Sequence, residues 1–158
     1  MPVRPLSPSN ERDRSDWTRM RLELWDDLDP AFNQRDMEAF AERMEQEVFL
    51  GLVGSPDTPG RLDGSAEVAG FAEVALRNRV DGCLTSPVGY LEAIYVAPEA
   101  RGAGLGRQLL DAAIYWARAQ GCTEFATDSD LKDEAAQRFH LATGMTETFR
   151  IVQFRREI

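Results

Sequence analysis

Between Val88 and Gln120 the chain passes from a strand-like apolar run into a strong helix. The link is Val96-Ala97-Pro98-Glu99-Ala100-Arg101-Gly102-Ala103-Gly104-Leu105-Gly106-Arg107, a turn with three glycines. No other stretch restricts the fold as much, because it fixes a helix opening beside the end of a strand. The first turn of a helix leaves backbone N–H groups without acceptors and carries the positive end of the dipole. Glycines reach backbone angles closed to other residues and let a bulky anion approach the amides. The stretch therefore predicts a seat for a pyrophosphate. Arg101 and Arg107 either add charge there or are solvated surface groups. Two better-known cradles do not fit. A P-loop needs Gly-Lys-Ser/Thr after its glycines, and a dinucleotide fingerprint belongs at the first strand of a βαβ unit. Here the turn follows a hairpin, past the middle of the chain.

The flanking pattern supplies the rest of the topology. Val3 to Leu6 predicts a short strand. A helix follows, capped by Ser15 or Asp16 or begun earlier near Asn10, with Trp17, Met20, Leu24, Trp25 and Leu28 on one stripe. Met37, Phe40, Ala41 and Met44 mark a second, shorter helix, and Val48 to Val53 a strand. Residues 55–65 hold two prolines, two glycines and two aspartates and read as a loop. Glu67 to Arg77 and Val88 to Val96 are strand-like, joined through Asp81-Gly82 as a hairpin. Leu105 to Gln120 is a helix stopped by Gly121. Thr123 to Thr127 predicts a strand, Asp133 to Thr143 a helix closed by Gly144, and Glu147 to Arg155 a last strand. The order is that of a mixed α/β (α+β) fold. A chain of 158 residues is expected to form one domain, 1–158, around one core.

Charge and cysteines narrow the function classes. With 18 basic and 27 acidic residues the formal net charge is -9. No nucleic-acid partner is expected, since neutralising phosphates takes a basic face. An acidic surface draws cations or simply keeps the chain in solution. No apolar run approaches the roughly 20 residues of a membrane span. Met1 to Asn10 carries three prolines and no apolar core of a secretory signal. Cys83 and Cys122 stand alone, so neither metal nor disulfide is expected and a reducing cytoplasm fits.

Arg101-x-x-Gly104-x-Gly106, after the fourth strand and opening a long helix, resembles the acetyl-CoA signature of the GCN5-related N-acetyltransferases (GNAT). The element order is similar to that family's over nearly the whole chain. Leu91 to Glu99 and Cys122 to Asp128, with Thr85-Ser86-Pro87-Val88, resemble a narrower group, the aminoglycoside 6'-N-acetyltransferases. The resemblance implies a mainly antiparallel sheet flanked by helices, its fourth and fifth strands splayed around acetyl-CoA. Ile94, Tyr95 and Val96 match the positions that pair with the pantetheine arm. Arg101, Gly102, Ala103, Gly104, Leu105, Gly106 and Arg107 match the pyrophosphate seat. Asp133 falls where the narrower group carries an Asn that touches the cofactor; as an Asp it repels phosphate, unless it caps its own helix.

The same resemblance assigns chemistry. Glu92 and Asp128 match acidic substrate positions and would hold an ammonium and take its proton through water. His140, the only histidine, stands where the wider family places a Tyr that protonates the departing thiolate; a structural role is the alternative. Glu73 is a weaker third carboxylate that otherwise faces solvent. Trp25 is either an aromatic wall of the substrate site or core. Arg79 replaces a Tyr of the narrower group and Phe149 an acid, and both changes weaken attraction for a polycation. The implied reaction is direct acetyl transfer from acetyl-CoA to a primary amine, first the 6'-amine of an aminoglycoside. Another small amine, a protein N-terminus, or a non-catalytic acyl-CoA-binding role are the alternatives. A homodimer in the cytoplasm is implied too.

Overall fold

The computed structural model describes residues 3–55 and 68–158. The loop expected at 55–65, apart from Ser55, and the expected strand start at Glu67 lie outside them. In chain order the elements are β1 (Val3–Pro5), α1 (Glu11–Leu24), α2 (Pro30–Glu45), β2 (Phe49–Gly54), β3 (Gly70–Arg77), β4 (Val88–Val96), α3 (Leu105–Ala119), β5 (Phe125–Thr127) and α4 (Glu134–Ala142), with a short 3-10 turn at Pro98–Ala100 before α3. They form one sheet in the order β1-β2-β3-β4-β5. The first three pairings are antiparallel and β5 runs parallel to β4. The expected mixed architecture is the observed one.

Local chemistry explains the helix starts. Asn10 caps α1, its side chain accepting from the Asp13 N–H at 3.1 Å, so the earlier of the expected starts is used. Trp25 is the residue at which α1 ends, which leaves Leu28 beyond the helix and off its stripe. Asp29 caps α2 by accepting from Phe32 N–H, and Pro30 occupies the first turn, where no amide donor is needed.

Strand alternation divides the core into two layers. Phe71 and Glu73 face α1, while the intervening Gly70 and Ala72 face α3. On the α1 side, Trp17 meets Phe40 edge-on at 5.6 Å, and Phe40 meets Phe49 at 4.9 Å. On the other side α3 lies close against β4. A Cβ on Gly89 would stand 2.6 Å from that of Ala117, so that approach requires glycine. Leu91, Leu109 and Leu110 are fully buried between these layers.

Of the expectations at the strands, the hairpin is observed and the last strand is corrected. The β3–β4 hairpin does turn at Asp81-Gly82, with Cys83 N–H donating to the Val80 carbonyl at 3.1 Å and Gly82 at φ 89°. The connection spans residues 78–87, as the expected strand ends imply, and is also pinned by Glu124, which accepts from Leu84 N–H, Thr85 N–H and Thr85 Oγ1. The last strand, Glu147 to Arg155, does not form, and all its residues are exposed. A strand persists only where a neighbouring edge takes its N–H and C=O groups. Within the described residues the tail meets no such edge.

Candidate active site

The pairing of β3 with β4 is interrupted once. Glu73 faces Ala93 but the next residue, Val74, faces Leu91, so Glu92 is the extra residue of a β-bulge. Tyr90 and Ala93 therefore share the α1 face of the sheet. Arg77, opposite Val88 at the end of β3, belongs to the same face and reaches Glu92 in a fork. Its Nε donates to Oε1 at 3.0 Å and its terminal nitrogen to Oε2 at 2.7 Å. The guanidinium also lies 3.5 Å from the centre of the Tyr90 ring. Asp128 lies near enough for its charge to act on both Tyr90 and Arg77. Burial, reinforced by that carboxylate, pushes the Tyr90 phenol well above its ordinary range. Glu92, on β4, and Asp128, the residue after β5, thus both act on the Arg77–Tyr90 pair. Neither residue of that pair was singled out in the sequence. Arg77 reads there as a charge at the end of a strand, and only the bulge turns Glu92 towards it.

β4 and β5 part company where this cluster lies. They pair only at Gly89↔Phe125, Tyr90↔Ala126 and Leu91↔Thr127. Thr127 Oγ1 then donates to the Leu91 carbonyl at 2.9 Å and closes the paired segment. From Glu92 onwards β4 has no strand on that side, so Ile94, Tyr95 and Val96 border an opening. The Tyr95 side chain points to the other layer, its hydroxyl donating to Glu23 at 2.7 Å. At the far end of the opening α3 begins. Gly102 and Gly104 have φ of 81° and 85°, and Gly104 occupies the cap position with no side-chain cap bond. A Cβ at Gly102 would meet nothing within 4 Å, so the turn leaves its amides uncovered. Ala103 is exposed there, whereas Leu105 is buried in the core and contributes backbone only. Arg101 donates to the Val96 carbonyl and Arg107 to Ala142 at 2.9 Å, which ties α3 to α4. Gly106 lets Phe139 of α4 pack closely.

His140, on α4, borders the same region. Burial lowers its pKa below the ordinary value, against the pull of Asp133 and Asp128, so the imidazole is neutral at pH 7. Its Nδ1 is buried and has no protein partner. Asp133 caps α4, accepting from Ala136 N–H at 2.9 Å, which is the alternative raised for it above.

Three further candidates are placed differently. Glu73 does not face solvent: it is 3% exposed, accepting from Trp17 Nε1 and from Arg21, both at 2.7 Å. Arg21 also reaches Asp36 of α2, so this buried group ties both helices to the sheet. Trp25 is half-buried against the core with the Arg21 guanidinium 5.0 Å from its ring. Arg79 and Phe149 line one shallow surface depression with Val80–Cys83 and Ile151. Among the described residues no hydrogen bond or ion pair links Arg79 to Glu92 or Asp128.

An opening between two splayed strands, an uncapped glycine-rich helix start at one end and paired acids at the other suit a thioester carrier and an amine. The acetyltransferase (GNAT) family model matches residues 17–145. The chain belongs to that family. This acetyltransferase is 40% identical to an aminoglycoside N(6')-acetyltransferase type 1 of Stenotrophomonas maltophilia, over 97% of its own length and 91% of the relative's. It is 35% identical to the Klebsiella aerogenes protein of the same description, over 99% and 96%. Among solved structures, the apo aminoglycoside 6'-N-acetyltransferase of Acinetobacter haemolyticus superposes with a TM-score of 0.84 at 30% identity, covering 100% of this chain and 99% of that one. Another aminoglycoside 6'-acetyltransferase, in complex with a bisubstrate analogue of CoA and acetylneamine, superposes at 0.83 with 27% identity, over 99% and 97%.

Proposed function

We propose that this enzyme transfers acetyl from acetyl-CoA to the 6'-amino group of an aminoglycoside, using Glu92, Asp128 and His140. The observation that carries the reading is the end of β4–β5 pairing at Leu91 and Thr127, which opens a slot between the uncovered turn at 101–107 and the two acids. The turn's left-handed glycines and uncapped amides fit a diphosphate, and the free side of Ile94, Tyr95 and Val96 fits an amide-bearing arm. No group of three or more metal-ligating side chains is found among the described residues, and the chemistry proposed here needs none.

A thioester is an activated acyl donor, so the protein's task is alignment and proton handling. Asp128 holds the substrate ammonium while Glu92, fixed by Arg77, takes up its proton through water. The neutral amine attacks the carbonyl carbon; the C–N bond forms and the C–S bond breaks. Burial favours the neutral form of His140, which can hydrogen-bond the leaving sulfur through its N–H, and the proton given up by the amine reaches the thiolate through water. The experiment is thiol release on mixing with acetyl-CoA and a panel of kanamycin-like sugars, simple diamines and amino-sugars. Release with the sugars alone supports the reading; release with diamines only moves the acceptor to a smaller amine, and none at all leaves an acyl-CoA-binding role.

The enzyme works in the cytoplasm, where its acetyl donor is made, as one domain and as a homodimer. Support for the dimer comes from residues 147–158, all exposed, among which Phe149, Ile151, Val152, Phe154 and Ile158 are each at least 65% exposed. Among the described residues β5 stands at the end of the sheet with one edge unpaired. A second copy supplies both the cover for the tail and a strand for that edge.

A further inference from the structure

We propose that Arg77 is a built-in counter-cation that sets how much negative charge the site offers its substrate, and so which amines it accepts. The inference rests on the reading that Glu92 and Asp128 face the amine. Both Glu92 carboxylate oxygens are engaged by the Arg77 fork, at 3.0 and 2.7 Å. The guanidinium lies 3.5 Å from the centre of the Tyr90 ring, and the charge of Asp128 acts on both groups. Arg77 is therefore fixed on one carboxylate within the field of the other.

Counted formally, Glu92 and Asp128 carry two negative charges and Arg77 returns one positive, leaving a net single negative charge. This pair is not a core device. The side chains of Arg77 and Glu92 are 42% and 26% exposed, so water and an ammonium group reach them. Pairs this open add little to stability, whereas a fork on both oxygens strongly fixes which lone pairs remain free. An incoming ammonium finds Asp128 without a cation paired to it among the described residues and finds Glu92 shared with Arg77. A substrate with one ammonium is served by Asp128. A substrate with several must share Glu92 with Arg77, and its additional charges gain less than two bare acids would give.

Calorimetry on the full chain tests this with kanamycin as the polycation and glucosamine as the monocation, in low salt and in 0.3 M salt. Arg77→Gln is expected to bind kanamycin about fivefold more tightly at low salt, with most of the gain lost at high salt. Glucosamine should change less than about twofold. Arg77→Lys keeps the charge and should keep the wild-type ratio. Arg77→Met, whose apolar chain still covers Tyr90, is the second neutral variant should the Gln protein fail to fold. In turnover the neutral variants should lower KM for kanamycin more than they alter kcat. Unchanged or weaker kanamycin binding in the neutral variants, or an equal gain for glucosamine, overturns the proposal. If the wild type releases no thiol with any aminoglycoside, the functional reading fails by itself, and the binding contrast still decides the role of Arg77.

Discussion

The three side chains proposed to handle protons have different surroundings. Glu92 is held by a guanidinium, Asp128 stands near the buried Tyr90 phenol, and burial favours the neutral form of His140. Glu92→Gln and Asp128→Asn should each lower kcat/KM by about 10²- to 10³-fold, the range of a lost general base or ammonium anchor, while leaving coenzyme A affinity unchanged by calorimetry. A loss of only a few-fold in both would remove them from the chemistry. Gly104 is the corresponding test on the donor side. At φ 85° a β-branched residue is strained by about 1–2 kcal/mol, and Gln108 at 4.0 Å is the nearest obstacle to a Cβ. Gly104→Val should therefore weaken coenzyme A binding by reshaping the turn rather than by colliding with a neighbour. The measurement is a titration of the folded variant with coenzyme A, and an unaltered affinity would contradict the seat.

At the scale of elements, α1, α2 and β3 are joined by one buried ionic cluster. Burial raises the Glu73 carboxyl from 4.5 to about 7, outweighing the attraction of Arg21 and the Trp17 hydrogen bond. Between those values the folded protein holds a proton that the unfolded chain releases. Glu73 thus contributes stability that is complete below pH 4.5 and is lost as pH rises through 7, about 3 kcal/mol in all. The melting temperature should fall from pH 5 to pH 8 in the wild type and fall less in Glu73→Gln. An equal slope in both would mean that the Arg21 charge keeps Glu73 ionised throughout. The cap of α1 is a simpler case. Asn10→Ala should cost about 1 kcal/mol, read from denaturant midpoints, because one amide loses its acceptor.

The whole molecule leaves the tail from Glu147 exposed and paired with no strand among the described residues, and the dimer is tested there. Cutting the chain after Thr146 should convert a dimer into a monomer by light scattering while the sheet remains intact; a full-length monomer would remove the proposal. What the sequence alone determined was everything set by local chemistry. The helix stripes of Trp17 and Met37, the stop at Gly121, the turn at Gly82 and the left-handed glycines Gly102 and Gly104 that open α3 depend on neighbours within a few residues, and they were legible. So was family membership, since Arg101-x-x-Gly104-x-Gly106 is a local motif. Tertiary structure decided the rest. The bulge that turns Glu92 onto Arg77, the burial of Glu73 under Trp17 and the stacking of Tyr90 arise from register between strands far apart in sequence. The tail shows the same division from the other side: Phe149 to Phe154 has the composition of a strand, and composition cannot provide the edge against which a strand forms.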